Sequence, residues 1–330
     1  MFKPDNLKES LCVSVSLASE MSGRENACHF RFGILSVGSL LVLLFLLFAG
    51  CSGSDDVPTL IEKARQGNGK AAMKLVRTMG SADKDVALAA YMGVIDLGVD
   101  IQPWLARGLE SPKDSVVEAS AAALGNLGDS GSLPILIGIL EGEGARRYAA
   151  AWALGEIGDL AAVPNLVRVL GSKDMLLRKS AVRALVKLGP EAGAAVTTFL
   201  SAAKDAGSER AAIRVVGELK TEMAIDILIS INGPNMDAAA WALGRIGGEG
   251  ALEPLLEALS DPRWQVRREA AQALGSLEND KSVPALTGAL GDTVTVVREW
   301  AARSLETITG RKVLYQGEDG DMIPPYNLYR

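Results

Sequence analysis

The sequence predicts an all-α solenoid of about eight two-helix repeats, and three observations carry that prediction. The stretch "AAAWALGEIG" at 149–158 returns as "AAAWALGRIG" at 238–247, with nine of ten letters unchanged. Anchoring on Leu154 gives the series Val94, Leu124, Leu154, Leu185, Val216, Leu243, Leu274 and Leu305, in steps of 30, 30, 31, 31, 27, 31 and 31. A sustained period of that size marks stacked supersecondary units rather than one closed core. Composition agrees: of 330 residues 48% are hydrophobic but only 5% aromatic, so the core is built from Ala, Leu, Val and Ile. Ala and Leu head the helix-propensity ranking.

The chain opens differently. From Phe32 to Gly50 it reads "FGILSVGSLLVLLFLLFAG", nineteen residues without a charge, behind Arg24 and Arg31. A basic flank, an apolar stretch and small residues before a break are the parts of a secretory signal. Residues 1–50 are therefore read as a signal peptide. Residues 1–20 do not resemble a signal start, so translation is expected to begin at Met21. The run ends Phe48-Ala49-Gly50-Cys51, which resembles a bacterial lipoprotein lipobox with Phe48 in place of the usual aliphatic residue. That resemblance implies removal of the signal and acylation of Cys51, leaving residues 51–56 as a lipidated linker. It implies a lipid-anchored protein of the bacterial cell envelope. Ser52 after the cysteine points to the outer membrane, with the body facing the periplasm. The alternative is an uncleaved signal anchor in the inner membrane, because nineteen apolar residues can span a bilayer.

Residues 57–67 are predicted to form an N-terminal capping helix, since a solenoid needs a polar outer face at its end. The array follows over 68–309. Its second helix in each unit, B, is clearest at 266–277, "VRREAAQALGSL". Numbered 1 to 12, apolar or small residues fall at 1, 5, 8, 9 and 12, an amphipathic helical stripe. Gly98, Gly128, Gly158, Gly189 and Gly247 stand at position 13, where a helix C-terminus wants positive φ. The first helix, A, opens with Pro103, Pro134, Pro164, Pro254 or Pro284, and proline in a first turn costs no intrahelical hydrogen bond. The 27-residue step into unit six predicts an irregularity there. Residues 310–330 read as an extended tail laid over the last unit.

These paired helices, with "VPNLVRVL" and "VPALTGAL" as A and "DPRWQVRREAAQALG" leading into B, resemble HEAT repeats. The closest subtype is the bacterial HEAT-like kind also seen in phycobilin lyase subunits. The resemblance implies a right-handed superhelix whose B helices line the concave face. It also implies an internal ladder of an acid six residues before an arginine. Glu141/Arg147, Asp261/Arg267 and Asp292/Arg298 fit that ladder, while Arg178 has Ser172 instead.

The chemistry is bounded by what the body lacks. Cys12, Cys28, Cys51 and the single His29 all precede residue 52. Zinc sites, Cys/His nucleophiles, Ser-His-Asp triads and a histidine base are therefore excluded from the repeats. No metal, cofactor or small-molecule substrate is expected. "GEDGDM" clusters Glu318, Asp319 and Asp321 but lacks EF-hand spacing, and reads as an acidic turn. The net charge of −6 argues against nucleic acid as the partner.

At 100° per residue, B positions 3 and 7 point away from the apolar stripe and position 11 lies at its margin. Read down the array, those positions collect Lys179, Arg183, Lys187, Arg210, Arg214, Arg245 and Arg268, with Tyr148 and Trp152 at one border and Trp241 inside. Arg, Trp and Tyr are over-represented at binding hot spots, and Arg pairs bidentately with carboxylates. Both tryptophans are expected to be solvent-accessible. The expected function is a non-catalytic scaffold or adaptor holding an acidic protein partner on this face. The alternatives are a tetrapyrrole-handling lyase or chaperone-like activity, implied by the phycobilin-lyase resemblance, and a purely structural spacer. Visible absorbance on mixing with bilin or haem would favour the first alternative, and absence of any specific partner the second.

Overall fold

The computed structural model describes residues 56–325. The signal-like run, Met21, Cys51 and residues 326–330 lie outside the described residues. Helix α1 (Val57–Arg65) comes first, with Asp56 capping it through a hydrogen bond from the Thr59 amide at 3.1 Å. Eight A/B pairs follow. Unit one is α2 (Gly69–Thr78) with α3 (Lys84–Leu97), and unit two is α4 (Gln102–Leu109) with α5 (Asp114–Leu127). Unit three is α6 (Leu133–Glu141) with α7 (Arg146–Ile157), and unit four is α8 (Val163–Val169) with α9 (Met175–Leu188). Unit five is α10 (Gly193–Ala202) with α11 (Ala206–Glu218), and unit six is α12 (Ile225–Ser230) with α13 (Met236–Ile246). Unit seven is α14 (Leu252–Ala258) with α15 (Trp264–Leu277), and unit eight is α16 (Val283–Ala289) with α17 (Thr295–Thr309). The fold is an all-α solenoid.

The junctions between units repeat a local code. Position 13 has positive φ wherever it is glycine: 65° at Gly98, 68° at Gly128, 78° at Gly158, 95° at Gly189 and 79° at Gly247. A 3₁₀ turn then precedes every A helix from unit two onward. Asp129, Asp159 and Asn279 cap three of these turns, each accepting from the amide two residues on. Proline at the second position of the A helix completes the reversal in α4, α6, α8 and α16. The 3₁₀ turn is an addition to the sequence-based picture; an Asp or Asn directly after position 13 is its signal in these three units.

Three units have another residue at position 13; unit eight has Thr309 there and places its positive φ one residue later, at Gly310 (66°). Lys220 and Glu278 occupy position 13 with φ of 52° and 49°. A left-handed non-glycine residue is strained by about 1–2 kcal/mol. Glycine recovers that, less the extra freedom it gains in the unfolded chain. Lys220→Gly and Glu278→Gly are each expected to stabilise the protein by about 0.5–1 kcal/mol. A lower melting temperature for both variants would contradict this account of the junction.

Packing between units rests on the B helices. Position 9 is buried throughout, from Val94 and Leu124 to Leu274 and Leu305. Position 6 joins it in six units, through Ala121, Ala151, Ile213, Ala240, Ala271 and Ala302. The apolar face is thus wider than the predicted stripe, because each inner B helix is covered by its A helix and by B helices on two sides. Position 10 sets how close they come. A Cβ on Gly155 would stand 2.7 Å from Ala184 Cα, and one on Gly244 would stand 2.4 Å from Ala273 Cβ and 2.7 Å from its Cα. Gly125, Gly217 and Gly275 meet Ala153, Ala242 and Ser304 in the same way. The glycine in the recurring "ALG" is therefore a helix–helix contact.

The expected acid–arginine ladder takes another form. Each position-2 arginine reaches a backbone carbonyl left open near the end of its A helix: Arg147 to Leu140 O at 2.9 Å, Arg178 to Ser172 O at 2.5 Å, Arg267 to Asp261 O at 2.8 Å and Arg298 to Asp292 O at 2.7 Å. Orphan C-terminal carbonyls need such donors. That is why Arg178 works without an acid at position 172. The carboxylates look elsewhere: Asp292 pairs with Arg267 of the preceding unit at 2.6 Å, and Glu141 with Arg168 at 2.5 Å.

Unit six carries the irregularity. Helix α12 has only six residues, and the chain reaches α13 through buried Asn235. That amide donates to Ala206 O at 2.8 Å and to Glu209 Oε2 at 2.7 Å, and accepts from Arg210 Nη1 at 3.2 Å. It ties the short unit to unit five. At the other end, the segment expected to be extended forms a hairpin, β1 (Tyr315–Gln316) antiparallel to β2 (Met322–Ile323). Tyr315 is buried, and Arg298 holds the hairpin to α17 by donating to Gln316 O at 2.7 Å. The "GEDGDM" acids lie in and beside its turn. Among the described residues no group of three or more His, Cys, Asp or Glu is placed to hold a metal.

Candidate protein-binding face

The predicted site residues sit on B helices α7, α9, α11, α13 and α15. Their environments differ. Arg210, Arg214, Trp241 and Arg268 come together around one pocket of about 200 Å³, shared with Asp237, Ala238 and Glu269. That volume suits a side chain rather than a drug-sized ligand. The arginines are already engaged: Arg210 bridges to Asp237 through two bonds of 3.0 and 2.5 Å, and Arg268 contacts Glu269. Arg214 pairs with Glu218 at 2.7 Å and lies over the Trp241 ring at 4.4 Å.

Position 11 forms a rail of inter-unit ion pairs. Arg65 of α1 meets Asp96 at 2.8 Å, Glu156 meets Lys187, and Glu218 meets Arg245 at 2.9 Å. Glu156 and Arg245 are the single letter by which the two recurrent stretches differ. Each is one half of a pair whose other half stands in a neighbouring unit. The substitution follows the sign of its neighbour, which a reading of one unit at a time does not show. Lys187 and Arg245 thus support the array. Exposed pairs of this kind contribute about 0–1 kcal/mol each.

The tryptophans are half-buried, where exposure was expected. Trp152 lies over Gly125, and Trp241 over Gly217, each on the B helix of the preceding unit. Position 7 points away from its own A helix, yet the neighbouring glycine opens a slot into which a large ring fits. The signal was in the sequence: each tryptophan follows a unit with glycine at position 10. Arginine within a turn of tryptophan also recurs, with Arg107 over Trp104, Arg268 over Trp264 and Arg303 over Trp300 at 4.9–5.7 Å.

Tyr148 is likewise engaged. Its hydroxyl donates to Asp174 Oδ2 at 2.6 Å. That bond holds the Asp174 carboxyl below its ordinary range and the Tyr148 phenol above its own. A depressed carboxyl pKa stabilises the fold above the ordinary aspartate pKa, and the benefit is lost as pH falls through the folded value. Tyr148→Phe should move the Asp174 midpoint back up, as read by NMR of its carboxyl. An unchanged midpoint would contradict the assignment.

Two predicted residues remain open. Lys179 and Arg183, at positions 3 and 7 of α9, are exposed and make no ion pair or hydrogen bond with a described side chain. They stand on the same helix face one turn apart. The structure therefore narrows the basic stripe to unit four, with a second, internally paired cluster in units five to seven.

Residues 142–209 and 236–306 match the family model for HEAT repeats. The gap between the two segments contains the short A helix of unit six. No curated protein matches the chain. Among solved structures, importin beta aligns at 16% identity over 82% of this chain and 44% of its own, with a TM-score of 0.54. The CpcE–CpcF complex of phycocyanin lyase from Nostoc sp. aligns at 23% identity over 62% and 86%, with a TM-score of 0.36. Human deoxyhypusine hydroxylase aligns at 18% identity over 76% and 100%, with a TM-score of 0.33. The importin likeness is one of fold, an all-α solenoid.

Proposed function

We propose that this protein is a non-catalytic scaffold that holds an acidic protein segment on its B-helix face, tethered to a bacterial envelope membrane through Cys51. One observation carries the reading. On a face where every other basic side chain assigned to it already contacts a carboxylate, Arg214 and Arg245 sharing Glu218, Lys179 and Arg183 are left open to solvent. Cations held on a rigid helix without a partner are suited to carboxylates arriving from outside. The lack of Cys and His after Cys51 removes thiol nucleophiles and the commonest general base from the repeats. A solenoid of the same fold, Kap95p, is known bound to the protein RanGDP.

Crosslinking in intact cells followed by recovery of the full chain tests the scaffold reading. It should yield a discrete protein partner with an acidic segment, while a structural spacer yields none. The anchor is tested separately by mass spectrometry of the N-terminal peptide. An acylated Cys51 with nothing before it is expected; an unmodified, internal Cys51 overturns the anchor and leaves the binding face standing.

A further inference from the structure

We infer that unit four is the anchoring point of this face, and that the segment it takes carries an apolar side chain beside its acidic ones. The inference rests on the scaffold reading above and specifies the ligand. Helix α9 begins with Met175 and Leu176, which keep 55% and 47% of their surface in solvent. Lys179 and Arg183 follow Met175 at four and eight residues, so the three side chains line one helix face. Neither apolar residue serves the core. The buried residues of α9 are Leu177, Ala181, Ala184, Leu185 and Leu188. The helix start is already satisfied by Asp174, whose Oδ1 accepts from the Leu176 and Leu177 amides.

The pair is particular to this unit. Its counterparts are Gly144 and Ala145 in unit three and Ala206 and Gly207 in unit five. Two large apolar side chains therefore stand between small neighbours, next to the two open cations. The nearby carboxylates are engaged, Asp174 by Tyr148 and Glu156 by Lys187. Side chains four apart on a helix are about 6 Å from each other. The complementary segment presents one apolar side chain and then two carboxylates at steps of about 6 Å, as one face of a helix does with a leucine at one position and glutamates four and eight residues on. Apolar burial supplies grip and the charges supply direction.

The test uses the full chain and a fluorescently labelled helical peptide with that leucine and two glutamates, read by anisotropy. Two control peptides carry serine for the leucine or glutamines for the glutamates. Met175→Ser with Leu176→Ser should weaken binding about tenfold, through lost apolar contact. Lys179→Glu with Arg183→Glu should abolish it, and all four side chains are exposed enough that melting temperatures should hold. Equal affinity for leucine and serine peptides, or wild-type affinity in the serine double variant, with glutamate still preferred over glutamine, overturns the apolar anchor and spares the acidic-partner reading. Equal affinity for glutamate and glutamine peptides, or no binding at all, overturns both.

Discussion

Gly244→Val is expected to cost about 3 kcal/mol, the upper part of the usual range for overpacking. The Cβ alone would stand 2.4 Å from Ala273 Cβ and 2.7 Å from Ala273 Cα. Those atoms belong to the next B helix and to its backbone, so no rotamer change relieves the clash. The two helices must move apart, and every unit beyond them moves too. Gly155→Val should behave alike, against Ala184. A control of opposite sign sits in the same fold. Gly138 is in the middle of α6, exposed, and a Cβ there would meet nothing within 4 Å. Gly138→Ala should stabilise by about 0.5–1 kcal/mol, because the unfolded chain loses freedom and the helix gains a better former. Thermal unfolding followed by circular dichroism separates the two classes. The same sign for Gly244→Val and Gly138→Ala would mean that position 10 does not set the spacing of the B helices.

Trp241→Ala is expected to cost about 2–3 kcal/mol, somewhat less than a fully buried tryptophan. The ring loses its seat over Gly217, and the Arg214 guanidinium loses the face it covers at 4.4 Å. The effect should be on folding. Affinity of the folded fraction for an acidic peptide should change little, because the open cations are in unit four. An unchanged melting temperature with lost binding would return Trp241 to the contact surface.

The period, the A/B pairing, the position-13 glycines and the proline starts were legible in the sequence, because each depends on local backbone preference and a repeated register. The position-6 contacts, the tryptophan slots and the ion-pair rail were not. They depend on what the neighbouring unit places opposite, and a helical wheel drawn on one helix contains no neighbour. Lys187 and Arg245 show the consequence. On the wheel they belong with Lys179 and Arg183; in the solenoid they face Glu156 and Glu218. The hairpin at Tyr315 was hidden for another reason. Two-residue strands carry no periodic signal, and the hairpin is seated by the buried Tyr315 and by Arg298, whose donors are divided between the turn before α17 and the hairpin.

The central claim is that the open cations of unit four capture an acidic partner without being needed for the fold. The direct measurement compares the wild-type chain with Lys179→Glu/Arg183→Glu in intact cells, scoring partner capture by crosslinking and, on the purified proteins, the melting temperature. Loss of capture at an unchanged melting temperature is the predicted result. Undiminished capture, or loss that comes with a lowered melting temperature, would contradict it.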